Sequence, residues 1–192
     1  MILAGGRARR LGGQDKPGLV VGHRTLIASV VRAGTAAGAR QVIVVGPERP
    51  GLPEVSFVRE EPPGAGPVPA LERGLAEMSQ PWVAVLAADL PFLRARHLRA
   101  LLDAAGAQPG AVLVDGTGRP QWLAGCWRTD ALRQAAAGYH HDSLRALMSP
   151  LGPALVKLTL ALGEPPPWLD CDTPQELRQA RARASTPQGH AE

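Results

Sequence analysis

Cysteine is scarce in this chain. Two stand in 192 residues, Cys126 and Cys171, and they form no C-x-x-C pair. Neither a zinc site nor a disulfide framework follows from that spacing, and a reducing, cytoplasmic compartment is the expectation. Aromatic residues are few at 4%, and none sit in a basic run. That argues against base stacking and nucleic-acid binding. No stretch of about 18 apolar residues exists, so no transmembrane helix is expected. Gly5 to Arg10 interrupt the early apolar stretch, so no signal peptide is read. The chain begins almost inside its first strand, and native residues are expected to precede Met1. No Ser/His/Asp or Cys/His grouping appears. His140-His141-Asp142 is no metal site, because adjacent histidines point different ways and no third ligand is near. It reads as a helix entry with Asp142 as the cap.

The N-terminal sixteen residues are the most informative: Met1-Ile-Leu-Ala-Gly-Gly-Arg-Ala-Arg-Arg-Leu-Gly-Gly-Gln-Asp-Lys16. A short apolar strand runs into Gly5-Gly6, a basic turn follows, and then come Gly12-Gly13 and Lys16. Glycines let a ligand approach the main chain. Successive backbone N–H groups in such a loop form an anion-binding concavity, and Arg10 and Lys16 add charge-assisted bonds to phosphate. The net charge of +4 draws partly on this loop. The loop is neither a Walker A motif nor a dinucleotide-binding G-x-G-x-x-G. It is nonetheless built to hold a polyphosphate.

Apolar strands and helices alternate along the rest. Strands are read at Ile2 to Ala4, Gln41 to Val45, Val55 to Val58, Trp82 to Asp89, Ala111 to Val114, Trp122 to Trp127 and Ala154 to Ala161. Helices are read at His23 to Ala37, Val68 to Met78, Arg94 to Ala105, Asp142 to Met148 and Thr173 to Ala184. Strands apolar throughout, interleaved with helices, predict an α/β fold: a Rossmann-like three-layer sandwich around a mostly parallel sheet. One domain over residues 1–184 and a disordered tail over 185–192 are expected.

Ligands of open α/β sheets bind beyond the carboxyl ends of the strands. Gly5-Gly6, Gly46 and Asp89 all fall at such ends. Asp89, in Ala88-Asp-Leu-Pro-Phe92, is a carboxylate emerging from a buried strand. A Mg2+ ion shared with phosphate oxygens satisfies such a charge. Asp170-Cys-Asp-Thr-Pro-Gln-Glu-Leu177 reads as a capping box, Thr173 to Glu176, with Pro174 in the first turn. Asp172 just ahead of it is a candidate second metal ligand or substrate contact.

The pattern L-A-G-G-x-x-x-R-L-G-G-x-D-K, with D-x-P at Asp89 and D-x-D-T-P-x-E-L at Asp170, resembles the molybdenum cofactor guanylyltransferases. That resemblance implies transfer of GMP from GTP to molybdopterin, with release of pyrophosphate and help from Mg2+. It implies Leu3, Ala4, Gly5, Gly6, Gly46 and Glu61 as nucleotide contacts, with Arg10, Lys16 and Asp89 acting in catalysis. Glu61 is the closest match to an acidic nucleoside contact, and its carboxylate suits the adjacent ring N–H and amino donors of guanine. Gln121 and Asp172 are implied at the acceptor side, along with transient contact with proteins of cofactor synthesis or delivery. Two rivals stay open: a cytidylyltransferase of the same cofactor or an NTP transferase for another phosphorylated metabolite, and a nucleotide-binding module without catalysis. The attacking phosphate is already anionic, so no protein nucleophile is needed and positioning carries the rate.

Overall fold

The computed structural model describes residues 1–5, 14–52 and 54–185. Among these, the strands are β1 (Ile2–Leu3), β2 (Val20–Val21), β3 (Arg24–Thr25), β4 (Ile43–Val45), β5 (Ser56–Val58), β6 (Trp82–Ala87), β7 (Gly110–Val114), β8 (Pro120–Arg128) and β9 (Ala154–Val156). The helices are α1 (Leu26–Ala36), α2 (Pro67–Ala76), α3 (Ala95–Ala105), α4 (Thr129–Ala136), α5 (Leu144–Met148) and α6 (Pro174–Ser185). Seven strands join one sheet in the order β5-β4-β1-β6-β8-β7-β9, while β2 and β3 form a separate hairpin. Neighbours β5, β4, β1 and β6 are parallel, as are β7 and β9. Only β8 in this sheet runs antiparallel to its neighbours β6 and β7. The mostly parallel α/β sandwich read from the sequence is the observed fold.

Successive strand residues feed opposite faces, which is why β1, β4, β6 and β7, covered on both, are apolar at every position. Leu3, Ile43 and Val45 pack on one side with Leu71 and Leu75 of α2, Leu132 of α4 and Leu147 of α5. Ile2, Ala4 and Val44 pack on the other with Ile27 and Val30 of α1 and Leu98 and Leu101 of α3. A third cluster ties α6 to the β2–β3 hairpin through Val21, Phe92, Cys171, Leu177 and Ala180.

Several boundaries differ from the sequence reading. The helix read from His23 begins at Leu26, because Arg24 and Thr25 pair with β2 and the Thr25 hydroxyl then accepts from Ala28 N at 3.3 Å. Asp142 is not the cap of α5. Ser143 holds that place, accepting from Ala146 N at 3.2 Å, and Asp142 lies beside Gly66 ahead of α2. Strand β9 stops at Val156, opposite Leu113, because β7 itself ends one residue later. Helix α4 has no counterpart in the sequence reading. Ser185 closes α6 rather than opening a tail, and residues 186–192 lie outside the described residues.

Candidate active site

The carboxyl ends of β1, β4 and β6 meet at one edge of the sheet. Two ladder bonds fix β1 between its neighbours there: Ala4 N donates to Val45 O at 2.8 Å, and Ala88 N donates to Leu3 O at 3.2 Å. Leu3 and Ala4 are buried and Gly5 is exposed. Gly46 follows β4 with a φ of 153°. A Cβ added there would stand 3.0 Å from the carbonyl carbon and oxygen of Ala4. The residue must therefore be glycine so that two strand ends can close together. Its N–H is already committed to Val58 O at 2.8 Å.

Asp89 emerges two residues beyond β6. Its carboxylate and that of Asp172 both accept a hydrogen bond from the ammonium of Lys16. Three segments far apart in sequence thus converge on one cation. Each is held by its own local device. Lys16 opens a short 3-10 turn, Lys16–Gly18, and the neighbouring Asp15 is gripped by Arg49, whose Nη2 lies 2.7 Å from Asp15 Oδ1. Asp172 stands directly ahead of the capping box, in which Thr173 N donates to Glu176 Oε2 at 2.8 Å and Glu176 N donates to Thr173 Oγ1 at 3.2 Å. Asp89 is fixed by the buried strand behind it.

The electrostatics of this cluster are unequal. Burial alone would lower the Lys16 pKa, but the carboxylates of Asp89 and Asp172 hold it above its ordinary value. Asp170 is pushed up to about 6, by burial first and then by the negative charges of Asp89, Asp172 and Glu176. Among the described residues this corner therefore carries more negative charge than Lys16 balances, which favours a further cation. Among the described residues, no group of three or more His, Cys, Asp or Glu side chains stands close enough to hold a metal ion alone.

Glu60, rather than Glu61, approaches Gly5. Glu61 is exposed, whereas Glu60 is 4% exposed. Glu60 Oε1 accepts from Gly64 N at 2.8 Å, and Oε2 is buried without a partner among the described residues. The place where a Gly5 side chain would begin is 3.7 Å from Oε1. An unpaired buried carboxylate oxygen is costly, so a ligand donor at this point would be strongly favoured.

Beyond Asp89 opens a cleft of about 1440 Å³, lined by Asp89, Asp170 and Asp172 together with residues of β8, the β7–β8 turn and α5. Strand β8 is irregular there. Gly125 pairs with Val112 and Gln121 with Leu113, so Trp122, Leu123 and Ala124 are extra residues with no counterpart on β7. Bulges of this kind re-aim side chains, and all three line the cleft. Trp122 also stacks at 6.5 Å on Trp127, which is fully buried. Arg119, Arg145 and Trp168 complete a wall that is both cationic and aromatic.

A family model described as the MobA-like NTP transferase domain matches residues 1–156. The chain belongs to that family. A protein of Mycobacterium avium named "Probable molybdenum cofactor guanylyltransferase" is 36% identical over 159 residues, covering 77% of this chain and 79% of its own length. Two solved structures share the fold. Molybdopterin-guanine dinucleotide biosynthesis protein A from Archaeoglobus fulgidus is 18% identical, with a TM-score of 0.70 over 96% of this chain and 97% of that one. The 2-C-methyl-D-erythritol 4-phosphate cytidylyltransferase from Thermus thermophilus is 23% identical, with a TM-score of 0.69 over 95% and 96%.

Within this NTP transferase, the residues read from sequence fall into four groups. Lys16, Asp89 and Asp172 are brought together. Leu3, Ala4, Gly5 and Gly46 stand at the same sheet edge, but Gly46 is spent on packing and on its bond to Val58. Gln121 lines the cleft, and Glu61 is exposed while its neighbour Glu60 is buried. Gly6 and Arg10 lie outside the described residues. Arg49, Glu60, Asp115, Arg145 and Trp168 also stand at this site, and no sequence motif marks them. An acid at Glu60 was visible, but which of two adjacent glutamates turns inward depends on where β5 ends.

Proposed function

We propose that this family member transfers GMP from GTP to the phosphate of molybdopterin and releases pyrophosphate. The observation that carries the reading is the meeting of Lys16 with Asp89 and Asp172 at the mouth of the cleft. At about 1440 Å³ the cleft exceeds the roughly 300–1000 Å³ typical of a single small-ligand site. It has room for a nucleotide and an acceptor together. The relative from Mycobacterium avium supports the choice of both substrates.

In this reading Leu3, Ala4 and Gly5 flank the nucleoside, with Gly6 and Arg10 completing the loop. Glu60 Oε2 accepts from the N–H pair of guanine, ending its isolation. Lys16 grips the triphosphate by transferring its ammonium from the two carboxylates to phosphate oxygens. The donor set fits Mg2+. Two carboxylates already converge on one cation, and Mg2+ usually takes one or two carboxylates together with substrate phosphates. Asp89 and Asp172 would hold it, and it would supply charge neutralisation at the α-phosphate. The acceptor phosphate is anionic at neutral pH and attacks without a general base, so the protein acts by alignment and charge. Residues 1–184 act as one domain. Both thiols are free and buried, which supports a reducing cytoplasmic setting. Among the described residues, no helix is long and apolar enough to cross a membrane.

Pyrophosphate release tests the reading. With GTP, Mg2+ and molybdopterin the protein should release pyrophosphate and form a guanine dinucleotide, detected by mass spectrometry. Release with GTP but an unrelated sugar phosphate, and none with molybdopterin, would overturn the acceptor assignment.

A further inference from the structure

The turn between β7 and β8 contains a heavily engaged carboxylate. Asp115 Oδ1 accepts from Thr117 N at 2.9 Å, from Thr117 Oγ1 at 2.6 Å and from Arg119 N at 3.0 Å. Its other oxygen, Oδ2, accepts from Gln121 Nε2 at 3.0 Å. The Thr117 hydroxyl and the Arg119 N–H hold its carboxyl below the usual range. Gln121 Nε2 also points at Arg119 O, at 3.3 Å. Both partners of Nε2 are pure acceptors, so the amide of Gln121 has one allowed orientation. Its donor end is spent on the turn. Gln121 can therefore offer the cleft only its carbonyl oxygen, Oε1.

We propose that Asp115 is a positioning residue that locks Gln121 as a hydrogen-bond acceptor, and that Gln121 Oε1 receives the amino group of the acceptor's aminopyrimidinone ring. The inference rests on the proposed reaction and names how its second substrate is read. A pterin acceptor carries its phosphate on the side chain of the second ring. Gln121 lines the same cleft as Asp89, so an acceptor whose phosphate reaches Lys16 and Asp89 has its amino edge left to meet Gln121. The extra residues of β8 adjoin Gln121 in the cleft, with Trp122 among them to cover a ring face. A fixed acceptor favours an amino group over a carbonyl at the same place, because a carbonyl would leave two acceptors opposed.

Substitution of Asp115 should invert this preference. Asparagine can keep its carbonyl oxygen toward Thr117 and Arg119 and turn its amide N–H toward Gln121. Gln121 must then flip and present a donor to the cleft. The probes are 6-hydroxymethylpterin and 6-hydroxymethyl-lumazine, which differ by an amino or an oxo group at position 2. Their binding is read from quenching of ligand fluorescence, with GTP affinity as the control for folding. Wild type should bind the pterin about tenfold more tightly than the lumazine. Asp115→Asn should narrow or reverse that ratio, and Gln121→Met should abolish it, with GTP affinity unchanged. A merely structural role for Asp115 would weaken both ligands together. Pterin binding by wild type with an unchanged ratio in both variants overturns this inference alone. GTP binding with no pterin binding by wild type overturns the pterin-acceptor assignment, and this inference with it.

Discussion

The two halves of the cleft are built by different means. On the β1–β6 side the ligand-facing parts are main chain and charge: strand ends clamped by ladder bonds, Gly46 pressed on Ala4, and Lys16 between two carboxylates. On the β8 side they are large side chains thrown forward by a bulge and a short helix: Trp122, Arg119, Arg145 and Gln121. The first half can hold any triphosphate by rigid geometry. The second can discriminate an acceptor by shape and hydrogen-bond polarity. In the proposed reaction this contrast gives chemistry and the choice of nucleotide to the first wall and the choice of acceptor to the second.

The largest effect should come from breaking the charged wall. Asp89→Asn keeps the volume but removes the charge shared with Lys16, and turnover should fall by about a thousandfold, with the melting temperature little changed. Steady-state pyrophosphate release measures it. A loss below about threefold would place the chemistry elsewhere.

A stability effect comes next. Gly46→Ala places a Cβ against Ala4 at a φ that side chains rarely adopt. It should cost about 2–3 kcal/mol in urea unfolding and loosen nucleotide binding more than acceptor binding.

Acid should trouble the other half. Helix α3 packs beneath β7 and β8, and its His97 is buried, its Nδ1 accepting from Arg94 N at 3.1 Å. Burial, followed by the charge of Arg96, lowers its pKa to about 4. Above about pH 6.5 the ring is neutral in folded and unfolded chains alike. As pH falls from there toward 4, the unfolded chain gains a proton that the folded one refuses. Stability is therefore lost across that window, by about 2 kcal/mol. Urea titrations at a series of pH values should show this slope, and His97→Gln should flatten it. An unchanged slope would refute the assignment.

The smallest effect sharpens the contrast of walls. Arg145→Ala should raise the acceptor KM by about fivefold and leave the GTP KM alone. Equal changes in both would merge the two walls into one site.

The sequence made these walls unequally legible. Lys16 and Asp89 could be read because the chemistry demands a cation near a glycine turn and a carboxylate at a strand end. Asp172 could be placed because the Thr173–Glu176 capping box marks where α6 starts. Arg145, Asp115 and Trp168 gave no local signal: they lie between positions 115 and 168 and meet only through the strand order. The β8 bulge was equally hidden, since Trp122 to Trp127 reads as an unbroken strand. Glu60 was obscured for a finer reason. One residue of register at the end of β5 decides whether it or Glu61 turns inward.

The most direct test of the account is calorimetric titration of the folded protein with GTP and with CTP in the presence of Mg2+. The account predicts that GTP binds more tightly than CTP, and that Glu60→Gln removes most of the preference because one oxygen of its buried carboxylate no longer accepts. Tighter binding of CTP, or no nucleotide binding by the folded chain, would contradict it.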